Sequence, residues 1–196
     1  LLAAGAVGDI MAQQIAAETR KDPRVVELVL RESKQISRKA PNVLVVEHRL
    51  GFISANAGID QSNVDSDQER VLLLPVDPDA SARNLRQRLR AATGSLIAVV
   101  ISDTHGRPFR LGNVGVAIGV AGMQALVDLR GDMDLYGRPL AITMQGYADM
   151  VASAAHLLSG EGAEGRPLVV LRGLTLPQGD GRASDLYRPP EQDLYR

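Results

Sequence analysis

Leu96-Ile97-Ala98-Val99-Val100-Ile101 runs without a break into Ser102-Asp103-Thr104-His105-Gly106-Arg107-Pro108-Phe109-Arg110. The apolar half is rich in β-branched residues, which predicts a strand buried on both faces. A carboxylate at the end of such a strand is held in place while the following loop leaves ligand positions open, an arrangement suited to a hard cation such as Mg²⁺. Arg107 and Arg110 then offer forked contacts to phosphate or carboxylate. The same residue types also suit a plain turn, with Asp103 and Thr104 bonding to the backbone and both arginines in solvent. Residue types alone leave the two readings open.

Upstream, Asp9–Arg20 reads as a helix. A second helix starts with Asp22 as N-cap and Pro23 at the first helical position, carries the apolar stripe Val25, Val26, Leu28, Val29 and Ile36, and stops at Pro41-Asn42. Val43–Val46 reads as a short buried strand. The polar stretch 47–70 is long for a connection, and long ordered loops are more often functional than idle. In it, Gly51 and Gly58 allow close backbone approach, and Asp60 and Asn63 are candidates for positioning a substrate or metal. A loop whose Asp and Asn side chains cap its own turns is the plainer reading. Val71–Pro75 reads as a strand, and Ala82–Ala92 as a basic amphipathic helix with Leu85 and Leu89 inward, its arginines in solvent, and Gly94 at its end.

Downstream, Val114–Val120 continues in strand style, with Gly115 and Gly119 permitting close packing. Ala148–Leu158 reads as a helix, Leu168–Leu171 as a late strand, and the segment from Gly179 as extended. Strands and helices mix without a βαβ beat, so the expected fold class is α/β, a mixed α+β sheet architecture.

Composition narrows the function. The 196 residues carry 22 Lys and Arg against 23 Asp and Glu, which argues against nucleic-acid binding driven by overall charge. Aromatic residues make up 3%, leaving few platforms for stacking bases. With no cysteine, thiolate chemistry and thiolate zinc sites are excluded. No apolar run approaches the roughly 20 residues of a membrane helix. His48, His105 and His156 lack the spacing of a zinc site. Gly115–Gly122 lacks the Gly-Lys-Ser/Thr ending of a phosphate loop. The chain starts on Leu1, and Leu1–Val7 has no basic leader; the expectation is a sequence that begins inside a longer protein.

Taken in order, Glu47-His48-Arg49-Leu50-Gly51-Phe52, Ala55-Asn56-Ala57-Gly58-Ile59-Asp60, Ser62-Asn63-Val64, the segment Ile101–Arg110, Asn113–Gly122, Asp134-Leu135-Tyr136-Gly137-Arg138-Pro139-Leu140 and Arg188–Arg196 resemble the F420-0:gamma-glutamyl ligase family, over about Ala16 to Arg196. The resemblance implies a mixed α/β, dimeric, cytoplasmic enzyme. It would join L-glutamate to the deazaflavin F420-0 with cleavage of GTP and Mg²⁺ or Mn²⁺, through an acyl phosphate. It further implies Asp103 as a metal ligand and catalytic group with Arg107, Thr104 and Gly106 beside the phosphates, and Thr143 in a later metal-binding segment. Glu191 (nucleotide) and Gln192 (metal) fall where the family closes its nucleotide site. One ligase domain over 1–196 is expected, without the family's N-terminal GTP-contacting segment and without a C-terminal nitroreductase-like domain. The alternatives are a related carboxylate–amino acid ligase with another substrate and a non-catalytic deazaflavin- or GTP-binding protein. No nucleic-acid or membrane partner is expected.

Overall fold

The computed structural model describes residues 10–64 and 70–193. They form α1 (Ile10–Thr19), α2 (Pro23–Arg31), β1 (Ser33–Ala40), β2 (Val43–His48), β3 (Ile53–Ala55), α3 (Pro78–Thr93), β4 (Val99–Arg107), β5 (Arg110–Ala121), β6 (Val127–Asp128), β7 (Met144–Gln145) and α4 (Tyr147–Ser159), with three short 3-10 turns. The mixed α/β class is as expected, although the sheets are small: β1-β2-β3, β4-β5 and β6-β7. The chain forms two compact units, the first from 1–74, 105–111 and 188–196, the second from 75–104 and 112–187.

In the first unit α2 begins as its sequence dictates, with the Asp22 carboxylate accepting from Arg24 N at 2.8 Å and Pro23 opening the helix. It ends earlier than its apolar stripe suggested. Residues 33–40 are a strand, paired antiparallel with β2 and interrupted by two register shifts. The physical reason is the turn: Asn42 takes a left-handed φ of 64°, and Ala40 pairs with Val43 across Pro41-Asn42. Ile36 therefore reaches the core from a sheet, packing with Val25, Val26, Leu28, Val29, Leu44, Val46 and Ile59 and with Ile15 of α1. The expected strand at 71–75 reduces to one bridge, Asp60 with Leu72, closed by backbone bonds of 3.0 and 2.8 Å.

In the second unit α3 is capped by Asp77, whose carboxylate accepts from Ala80 N at 2.8 Å, and it ends on Gly94 at φ 68°. Leu85 and Leu89 do not point inward; both are exposed, and the inward stripe is Pro78, Ala82 and the stem of Arg86. Gly119 of β5 explains why: a Cβ there would stand 2.4 Å from the carbonyl group of Pro78, so the helix start lies directly on the strand. Gly115 plays the same part for α4, with the Ala152 carbonyl oxygen 2.5 Å from where its Cβ would be. The small core joins Ala117, Val120, Met123, Ala125 and Ala148. Leu168–Leu171 joins no sheet among the described residues; Leu168 and Val170 are exposed, and the apolar run has no ladder to complete. The segment after Gly179 is not simply extended, since it turns twice, at Ala183–Leu186 and Pro190–Gln192.

Candidate functional site

β4 runs to Arg107, so Ser102–Arg107 is strand and the reversal comes only at Pro108-Phe109, where Phe109 has a φ of 58°. This corrects both readings of the segment, which ended the strand before Asp103. β-Alternation then sorts the candidates: Asp103, His105 and Arg107 lie on one face, half-buried, and Thr104 and Gly106 alternate with them. Arg107 donates from Nη2 to the Leu111 carbonyl at a long 3.4 Å, while its Nε–H is buried with no hydrogen-bond partner. An unsatisfied buried guanidinium N–H is costly, and an anionic ligand would satisfy it.

His105, at the hairpin tip and in the first unit, lies against Phe52 with ring centroids 5.0 Å apart. His48 also stacks on Phe52, in parallel and at 5.0 Å. His48 is buried, and its Nδ1 accepts from Leu50 N at 2.9 Å, which puts the proton on Nε2, 3.8 Å from Glu32. Glu32 in turn pairs with Arg49 at 2.5 Å, and buried Glu47 with Gln35 at 2.9 Å and Lys34 at 3.6 Å. The motif Glu47–Phe52 is thus a buried polar corner of the first unit. Phe52, one of two phenylalanines in the chain, was the signal that sequence reading passed over.

The other candidates are placed as follows. Asp60 accepts from both the backbone N and the hydroxyl of Ser62, at 2.7 and 2.6 Å, so its carboxylate is occupied in its own turn, the plainer of the two sequence readings. Asn63 stands nearby at a left-handed φ of 52°. Glu191 and Gln192 are exposed on a 3-10 turn of the first unit. Thr143 is half-buried beside β7, and its carbonyl accepts from Leu129 N at 3.0 Å. By unit, Asp60, Asn63, Gly106, Arg107, Glu191 and Gln192 belong to the first, and Asp103, Thr104 and Thr143 to the second. Among the described residues no three of His, Asp and Glu gather in a metal-holding group.

Two carboxylates near these segments hold the scaffold. Asp149 accepts from Ala117 N at 2.8 Å, and Asp79 accepts from Val120 N at 2.8 Å and Ala183 N at 3.2 Å. Burial, with Asp79 and Asp149 nearby, pushes the Tyr187 hydroxyl up to about 12. His156 pairs with Glu161 at 3.0 Å. The second unit also carries a cleft of about 990 Å³ along α3, lined by Arg83, Arg86, Arg90 and Arg182 with Asp77, Asp79 and Asp180. Arg83 and Arg90 are exposed, as the sequence led one to expect, and Arg86 is half-buried; their i, i+3, i+7 spacing puts the three on one side of the helix.

Comparison with known proteins completes the picture. The profile described as F420-0:Gamma-glutamyl ligase matches residues 6–173. The chain is 48% identical over 189 residues to a protein of Methanopyrus kandleri named coenzyme F420:L-glutamate ligase, covering 94% of this chain and 74% of that protein. A protein of the same name from Methanothermobacter thermautotrophicus is 49% identical over 189 residues, with 94% and 73% covered. Its Methanocaldococcus jannaschii namesake is 44% identical over 185 residues, again with 94% and 73%. Identity at this level over nearly all of the chain, together with the family match over residues 6–173, means that the chain belongs to the F420-0:gamma-glutamyl ligase family.

Proposed function

We propose that this chain is an amide-forming ligase of F420 biosynthesis, one ligase domain over 1–196 that adds L-glutamate to F420-0 at the expense of GTP. The observation that carries the reading is β4, with Asp103, His105 and Arg107 on one face of a single strand, in a chain of this family. The chemistry sets a demand: bringing a carboxylate onto a γ-phosphoryl group places like charges together, and positive charge must offset them. Arg107, with its unpartnered buried Nε–H, answers it by binding an anionic oxygen. Thr104 and Gly106 lie beside the phosphates, Glu191 helps close the nucleotide site, and Asp60 and Asn63 shape the substrate loop.

A divalent ion, Mg²⁺ or Mn²⁺, supplies further neutralising charge when bound. The fit is that of Mg²⁺ rather than of an all-protein cage: one carboxylate, Asp103, with substrate phosphates and water filling the other positions. Thr143 and Gln192 add neutral oxygen donors. Transfer of the γ-phosphoryl group to the F420-0 carboxylate releases GDP and leaves an acyl phosphate; the glutamate amine then attacks its carbonyl carbon, loses a proton and expels inorganic phosphate to leave the amide. The active form is a cytoplasmic homodimer, a reading supported by the exposed Leu135, Ile142 and Leu157 of the second unit. No described helix is long and apolar enough to cross a membrane.

The test is turnover of GTP, F420-0 and L-glutamate with Mg²⁺ or Mn²⁺, read by phosphate release and by product mass. Asp103→Asn should lower the rate about 100-fold or more, in line with removal of one electrostatic group from a transition state, while leaving the circular dichroism spectrum unchanged. Full activity of that variant at limiting metal would remove Asp103 from the machinery. Retention of ligands without phosphate release would make the chain a binder.

A further inference from the structure

We infer that the arginine-lined cleft along α3 is a second, separate binding site, and that it takes a ligand with several carboxylates spaced along a chain, namely a γ-linked oligoglutamate. The choice of ligand rests on the ligase reading above; the existence of an anion site does not. Arg83, Arg86 and Arg90 recur at i, i+3 and i+7, so they stack along one side of α3 over about 10 Å. Arg182 and Asp180 come from the segment after β7 and α4 to line the same cleft.

The cleft is built rather than accidental. Arg86 is fixed by donating from Nε to the Ile97 carbonyl at 2.8 Å, and its guanidinium fills the space left by Gly122, where a Cβ would lie 2.1 Å from Nε. Two of the three acids of the cleft are already committed to backbone: Asp77 caps α3 through Ala80 N, and Asp79 accepts from Val120 N and Ala183 N. Their charge is therefore largely answered before any ligand arrives. Arg83 meets Asp77 only at 3.8 Å with both side chains exposed, a weak pair. The Arg90 guanidinium has no partner among the described residues, although it shares the wall with the others.

The distribution of charge selects the ligand. A polyphosphate concentrates its charge in a few ångströms and prefers backbone N–H groups at a helix start. Here the α3 start is closed by its own aspartate, and the arginines follow it along the helix. Separate forked guanidinium groups spread over about 10 Å instead suit single carboxylates separated by amides, with Gln87 in the cleft able to bond to those amides. A ligand of that kind is the product of glutamate addition itself, so the cleft would hold the extended end of a product as the next unit is added.

The test is calorimetric titration of the 196-residue chain with γ-linked triglutamate, with inorganic triphosphate and GTP as parallel probes. Arg90→Ala and the Arg90→Ala/Arg182→Ala pair should weaken triglutamate binding about tenfold or more, and Arg88→Ala, on the same helix but outside the cleft, should leave it unchanged. Affinity should also fall as salt rises from low to physiological strength. In the ligation assay the pair should shorten the product series while the rate of the first addition stays put. Triglutamate binding that is absent, or insensitive to both arginine variants, overturns the inference. Loss of triphosphate or GTP binding instead of triglutamate binding overturns it in favour of a nucleotide site. Since titration needs no turnover, absence of ligase activity would count against the proposed function and leave the result for the cleft readable.

Discussion

The two units are built on different economies of side-chain size. In the first, Val, Leu and Ile from two helices and a three-stranded sheet fill a core whose members Val26, Val29, Leu44 and Val46 are fully enclosed. In the second, the enclosed residues are mainly alanines with Val120 and Met123, and glycines let α3 and α4 rest directly on β5. Several of its larger apolar side chains, among them Leu135, Ile142 and Leu157, stand in solvent. What holds the second unit is backbone bonding to the half-buried carboxylates Asp79 and Asp149 as much as apolar burial, so it is the unit that gains from being covered.

The contrast can be broken by mutation. Leu44→Ala should be the costliest change, about 2–5 kcal/mol, measured by urea unfolding, because it opens a cavity in a core without spare volume. Asp79→Ala comes next, at about 1–3 kcal/mol, since it strands the N–H groups of Val120 and Ala183. An effect below about 0.5 kcal/mol would mean that the carboxylate is not what binds these strands.

A finer probe is alkaline pH. Tyr187 keeps its proton to about 12 in the folded chain and loses it near 10 when unfolded. The unfolded state then binds fewer protons, and stability falls as pH rises through that window. Phenolate absorbance should show one late-titrating tyrosine that disappears in Tyr187→Phe, and that variant should lose the alkaline slope. The smallest effect is expected of Leu157→Ser, within about 0.5 kcal/mol for the monomer, with a weaker self-association constant by sedimentation. If Leu157→Ser destabilised the monomer as much as Leu44→Ala, the contrast between the units would fail.

How far the sequence carried the reading followed the range of the interactions involved. Asp22-Pro23 and Asp77-Pro78 declare their helices because a cap is made within three residues. β1 was hidden because Ser33–Ala40 is largely polar and its apolar Ile36 fell on the period of the preceding helix. The inward face of α3 was misread because Gly122, just past the distant strand β5, made room for an arginine stem. At the site, the residues Asp103 to Arg107 were legible as a group, but their placement inside a strand was not, since strand length depends on the partner β5. Asp60, a candidate for positioning a substrate or metal, also closes its own turn through Ser62.

The first unit is assembled from three separated pieces of chain, 1–74, 105–111 and 188–196. A chain emerging from the ribosome therefore cannot complete that unit at the point where residue 74 is out. The hairpin tip arrives after α3, and the last piece only after the second unit has been synthesised. Contacts of such long sequence separation slow folding, and they make the order of assembly a property of the connectivity. Moving 188–193 elsewhere by circular permutation should change the folding rate more than the final stability.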